Sequence, residues 1–141
     1  MPEDILLRLP GLVNRLRETD DVNALFYFGS LVHGGLKPLS DLDLAVLLTG
    51  AAGRQGMMSR ELQLAGLVED ALSTSEFDLV VLNTAPLRFA YTILKEGRLV
   101  FVKDTARLVD FREKTVKLYL DFRYYRDEFD REYCRRIGYN G

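Results

Sequence analysis

Phe26-Tyr27-Phe28-Gly29-Ser30, then the ten residues Leu31–Ser40, then Asp41-Leu42-Asp43-Leu44-Ala45-Val46-Leu47-Leu48, is the stretch that decides how this chain is read. Ala24–Phe28 is short and rich in aromatic residues, the pattern of a buried strand. Gly29-Ser30 ends it, and Gly34-Gly35 with Lys37-Pro38 marks a loop. Asp41–Leu48 is a second strand whose second half is wholly apolar. Residues two apart on a strand face the same side, with α-carbons about 6.5–7 Å apart. Asp41 and Asp43 therefore share one face, while Leu42, Leu44 and Val46 point the other way, into a core. Two carboxylates so placed repel each other, and a hard cation such as Mg²⁺, which prefers oxygen ligands, relieves the repulsion. The plainer alternative puts both aspartates in solvent at a strand start, with Ser40-Asp41 in a turn.

Gly29-Ser30 bears on that choice. A glycine directly after a buried strand lets backbone approach a ligand. The serine hydroxyl and the amides opening the next turn can donate to phosphate oxygens. Alone, Gly-Ser describes countless turns; its weight comes from the paired aspartates ten residues later. A phosphate cradle and a cation-binding pair in one strand–loop–strand unit are the parts phosphoryl chemistry needs. Asp78 is the third candidate, near the start of the strand Phe77–Leu82. If that strand neighbours Asp41–Leu48, Asp78 can face the same side as the other two, as a metal ligand or as a base for an acceptor hydroxyl. By itself it would be a solvated strand start.

Outward from this unit, residues 3–17 read as a helix carrying Ile5, Leu6, Leu9, Leu12, Val13 and Leu16, which Pro10-Gly11 weakens or splits. Thr49–Gly56 holds three glycines and reads as a connection. Met58, Leu62, Ala65, Glu69 and Leu72 define the expected inner face of a helix over 57–73, with Glu69 the discordant member. Asn83-Thr84 offers capping groups, and Pro86 suits the first turn of a helix running to about Glu96, stopped by Gly97. Arg98–Val102 is a fourth strand, and Asp104 can cap a last helix to about Ile137. That helix would be about 50 Å long, against roughly 30 Å for a small domain. Either it breaks or part of it leaves the body. Phe111, Leu118, Phe122, Tyr125, Phe129 and Tyr133 form its apolar stripe, with Tyr119 and Tyr124 beside it. The first half is expected to pack on the strands. Tyr124–Tyr133 is either core or a partner surface.

With 141 residues the chain has the length of one domain, and 48% hydrophobic with 28% charged residues is the ordinary globular range. The formal net charge of −2 argues against a protein that coats nucleic acid, so no direct nucleic-acid binding is expected. One cysteine, Cys134, excludes an internal disulfide or cysteine-based zinc cluster; the lone His33 excludes multi-histidine metal sites. The acidic start Met1-Pro2-Glu3-Asp4 is unlike a secretion signal, and no apolar run approaches the ~20 residues that span a bilayer. A cytoplasmic protein without membrane association is the expectation.

The extended pattern resembles the minimal nucleotidyltransferase (MNT) family of the DNA polymerase β-like superfamily: Gly29-Ser30, ten residues, Asp41-Leu42-Asp43, and an apolar strand. Gly34 and Ser40 match frequent family positions, and Leu94 to Phe101 falls in family order. The resemblance implies an α+β nucleotidyltransferase fold over a single domain, residues 1–141. Its small mixed sheet of about four strands would be flanked by helices, with a long C-terminal helix, 103–137, as partner surface. Chains of this size in the family are commonly antitoxins of a module whose toxin is a HEPN-domain ribonuclease. Such an antitoxin uses ATP and Mg²⁺ to place AMP on a toxin tyrosine (AMPylation), and a hetero-oligomer with the toxin is implied.

Carried onto this chain, the resemblance assigns Asp41, Asp43 and Asp78 to catalysis and to metal, and Gly29, Ser30 and His33 to the nucleotide. His33 departs from the family's usual arginine. A weaker positive charge there would reduce activity or alter nucleotide preference; a plain loop side chain is the other reading. Lys37, Arg88, Lys95, Arg98 and Lys103 are further candidates for phosphate contact or for surface solvation. Two rival functions stay open: nucleotidyl transfer to a small hydroxylated molecule, and a non-catalytic antitoxin that neutralises by binding alone.

Overall fold

A computed structural model describes residues 2–28, 42–50 and 54–136. The elements run α1 (Pro2–Arg17), β1 (Val22–Phe28), β2 (Leu42–Leu48), α2 (Arg54–Leu72), β3 (Phe77–Val81), α3 (Leu87–Glu96), β4 (Arg98–Val102) and α4 (Thr105–Arg136), with a 3₁₀ turn at Leu82–Thr84. The strands form one sheet in the order β3-β2-β1-β4. β1 is antiparallel to β2 and to β4, while β2 and β3 run parallel. The mixed, helix-flanked α+β sheet of four strands expected from the sequence is the one found.

The central strands β1 and β2 are buried on both faces, which is why β2 reads as an almost unbroken apolar run. Against one face, Leu9, Leu12 and Leu16 of α1 and Met57, Leu64, Val68 and Leu72 of α2 close over Val22, Leu25, Leu42, Leu44 and Val46. Against the other, Ala90, Ile93 and Leu94 of α3 and Leu108 of α4 cover Ala24, Phe26, Ala45 and Leu47. α1 is a single helix through Pro10; Leu9, Leu12 and Leu16, buried on either side of the exposed proline, hold both halves to one axis. The expected inner face of α2 is wrong by about a residue. Met58 and Leu62 are exposed, Leu62 at 75%, and Glu69 is exposed. α2 packs on α1 as well as on the sheet, and this selects Met57, Leu64 and Val68. Leu72 alone belongs to both sets.

The end of the sheet where β2 stops, here the far end, is closed by side chains that take over backbone pairing. Asn83 accepts the Leu48 N–H on Oδ1 at 2.8 Å and donates from Nδ2 to the Leu48 carbonyl at 2.8 Å. It is not the cap of α3: Pro86 holds that position, with no side-chain cap bond. Asn23, 1% exposed, sits where β1 shifts register. It accepts the Asp104 N–H at 2.7 Å and donates to the Asp104 carbonyl at 3.1 Å. Asp104 in turn accepts from Arg107 N–H at 3.2 Å, capping α4 as expected. Arg60 of α2 grips Asp21 with two bonds of 2.7 Å. At the near end, Gly97 makes the whole joint between α3 and β4: a Cβ there would run into the Ile93 carbonyl and stand 3.3 Å from the Tyr27 carbonyl.

α4 leaves the body part-way along. Leu108 and Thr115 are buried and Phe111 is half-buried. Leu118, next on the stripe, is 58% exposed, so packing ends earlier than the sequence pattern suggests. Tyr119 still stacks on Tyr91 of α3, with ring centroids 4.0 Å apart and planes at 15°. Phe122, Tyr124 and Tyr125 beyond it are exposed. Among the described residues no helix is long and apolar enough to cross a membrane.

Candidate active site

β1 ends where β2 and β3 begin, and this near edge of the sheet gathers the candidate residues. Phe28 lies opposite Asp43 across the antiparallel pair, and Asp43 lies opposite Asp78 across the parallel one. Phe28, Asp43 and Asp78 thus form a row over three adjacent strands, at the strand spacing of about 4.8 Å. Opposite residues share a face. Leu42 and Leu44 flank Asp43 and are buried under α1 and α2; Phe77 and Leu79 flank Asp78 and pack on the same core. Both carboxylates must therefore face the other side, the one roofed by α3. Asp43 is half-buried and Asp78 is exposed.

α3 supplies the wall beside this row. Its inner face is Ala90, Ile93 and Leu94. Tyr91 projects from one flank, toward Tyr119 of α4. Phe89, two residues earlier, falls on the opposite flank at ~100° per residue. There its ring meets that of Phe28 edge to face, with centroids 5.7 Å apart and planes at 86°. Phe89 nonetheless remains 40% exposed. Sequence alone does not single out this pair: Phe28 reads as a strand residue, and Phe89 falls within the helix expected from Pro86 to about Glu96, with no role attached to it. Its signal was a phenylalanine off the apolar face of a strongly amphipathic helix.

The expected site residues fall into two groups. Asp43 and Asp78 are brought side by side, on neighbouring parallel strands and on one face. Asp41, Gly29, Ser30 and His33 lie outside the described residues, as does Lys37. Among the described residues no three metal-ligating side chains cluster. Two adjacent carboxylates whose only donors are oxygen nevertheless suit a hard dication rather than a softer metal. Of the basic candidates, Lys103 is at the far end, donating to the Thr19 carbonyl at 2.7 Å. Lys95 lies 6.0 Å from the centre of the Tyr91 ring, on the α4 side of α3. Arg98 starts β4 opposite Tyr27, at the near end.

Residues 11–106 match the family model described as polymerase beta, nucleotidyltransferase. No curated protein matches the chain. In structure it is similar to a chain of the toxin–antitoxin complex MntA–HepT, at 20% identity over 90% of this chain and 97% of that one, with a TM-score of 0.64. A toxin–antitoxin complex with AMP-PNP gives 21% identity, 89% and 94% coverage and a TM-score of 0.66. The tri-AMPylated HEPN toxin of Shewanella oneidensis in complex with MNT antitoxin gives 20%, 90% and 96%, and 0.64. At such identities the likeness speaks for the fold.

Proposed function

The chain belongs to the polymerase beta nucleotidyltransferase family, and from that premise we propose that it transfers AMP from ATP to a tyrosine hydroxyl of a HEPN-type toxin, as that toxin's antitoxin. The observation that carries the reading is the register of β2 and β3, which sets Asp43 and Asp78 side by side on the face roofed by α3. Two carboxylates set side by side on one face, with oxygen as their only donor, are the kind of ligand set a hard dication takes. Asp41, Asp43 and Asp78 are the residues that would hold magnesium. When bound there, the metal supplies charge neutralisation for the triphosphate and a more acidic acceptor hydroxyl.

The chain's own groups do the rest. The Gly29 N–H and the Ser30 hydroxyl donate to the β- and γ-phosphate oxygens and steady them. A tyrosine hydroxyl, with an ordinary pKa of ~10, is protonated at neutral pH. Asp78 takes its proton as the phenolic oxygen bonds to the α-phosphorus. The bond from that phosphorus to the bridging oxygen breaks, and pyrophosphate leaves. A protein acceptor is supported by the exposed Leu118, Phe122, Tyr124 and Tyr125 on α4, an aromatic surface of the kind interfaces use. The fold shared with chains from toxin–antitoxin complexes, one with AMP-PNP and one with a tri-AMPylated HEPN toxin, supports the same reading. The deciding experiment is transfer of label from α-³²P-ATP to the co-purified toxin. Wild type should label it, and Asp43→Asn and Asp78→Asn should not; full labelling by both variants would overturn the assignment.

A further inference from the structure

Resting on the nucleotidyltransferase reading, we propose that Phe89, backed by Phe28, is a stacking platform for a flat aromatic ring of the reacting pair. Three observations carry this. Phe28 stands in the same cross-strand row as Asp43 and Asp78, so the aromatic pair and the carboxylates share one face and one end of the sheet. Phe89 is turned to the flank of α3 away from α4, so it serves neither the α3 core contact nor the α3–α4 contact, which Tyr91 makes. Its ring is nevertheless held, edge to face with Phe28, while the residue stays 40% exposed. A large ring fixed by a second ring but left uncovered beside acidic side chains presents an apolar surface to whatever those side chains act on. The geometry suits a planar π-system, which gains from stacking without needing directional hydrogen bonds.

Two groups in the proposed reaction have that chemistry: the nucleobase of the triphosphate and the phenol ring of the acceptor. The experiment separates them. Nucleotide affinity is measured by calorimetry with AMP-PNP and Mg²⁺, and acceptor KM by label transfer at saturating ATP, for wild type, Phe89→Leu and Phe89→Tyr. Leucine keeps the apolar bulk and removes the flat ring; tyrosine restores it. If the nucleobase stacks, Phe89→Leu weakens AMP-PNP binding roughly tenfold, the size of one base–aromatic stack, and tyrosine restores it. If the acceptor phenol stacks, AMP-PNP binding is unchanged, and acceptor KM rises by a similar factor and is restored by tyrosine. Both constants within twofold of wild type in Phe89→Leu overturn the platform, as does a loss that tyrosine leaves unrepaired. Should leucine prevent folding, Phe89→Met and a comparison of ATP with base-free ribose triphosphate on wild type and Phe89→Tyr decide between the same outcomes. Failure of the nucleotidyltransferase reading looks different: wild type itself then binds no nucleotide and transfers no label.

Discussion

The two ends of the sheet are built on opposite principles. At the far end chain crossings among the described residues are closed by complementary polar groups: Asn83 on Leu48, Asn23 on Asp104, Arg60 on Asp21, Lys103 on Thr19. At the near end the fold sets two carboxylates of the same sign next to each other and leaves a phenylalanine half open beside them. The first arrangement gains stability from each contact. The second places acidic side chains and a partly open ring at one edge of the sheet. Under the proposed function, stability and chemistry are separated along the length of the strands, about 20 Å.

The sharpest way to break the comparison is at the near end. Asp43→Asn should lower AMP transfer about a hundredfold or more, the scale of losing a charged contact made in the transition state. Asp78→Asn should do likewise while changing stability by no more than about 0.5 kcal/mol, because its side chain is exposed. A fall in stability with activity retained would reverse the roles assigned to the two ends. At the far end the expected effects run the other way. Asn23→Ala removes a buried amide and the two part-buried bonds it makes with the Asp104 backbone, and should cost about 1–2 kcal/mol in urea unfolding. Specific activity per folded molecule should be preserved.

Asp21 gives a smaller, pH-dependent version of the same contrast. Its hydrogen bonds from Arg60, with the guanidinium's charge, hold its pKa below the ordinary 3.8. Its contribution is therefore complete at neutral pH, begins to fall near pH 3.8 and is lost as pH drops through the lowered folded value. Both partners are about one-third exposed, so Asp21→Asn should cost no more than about 1 kcal/mol at pH 7. Acid titration of stability for wild type and variant should converge below that range. The smallest effect on the fold is expected on α4: Leu118→Glu with Phe122→Glu should change stability by within about 0.5 kcal/mol. The same pair should sharply weaken co-purification with the toxin.

The sequence showed much of the near end and little of the far end, and the reason is physical. Alternation in Asp41–Leu48 separates Asp43 from Leu42 and Leu44 without any structure, because a strand has only two faces. Register is another matter: that Asp78 stands beside Asp43, and not a residue away, follows from the parallel pairing, which no local pattern encodes. Asn23 and Asn83 were invisible as clamps because an amide has no preferred role until a backbone strand end is laid beside it. In α2, Met57 and Met58, like Leu62 and Leu64, are near-equivalent in hydrophobicity; the second contact, with α1, selects between them. For α4 the apolar stripe was legible but the edge of the body was not, so Leu118 was expected inside.

The stacked Tyr91 and Tyr119 acquire a mechanical meaning from the length of α4. From Leu118 to Arg136 the helix projects about 28 Å, so a tilt of ~10° at this pivot sweeps the tip through ~5 Å. The same short helix that seats the pivot on one flank carries Phe89 on the other. The projecting arm and the row of Phe28, Asp43 and Asp78 thus meet on opposite flanks of one helical turn, Phe89 to Tyr91.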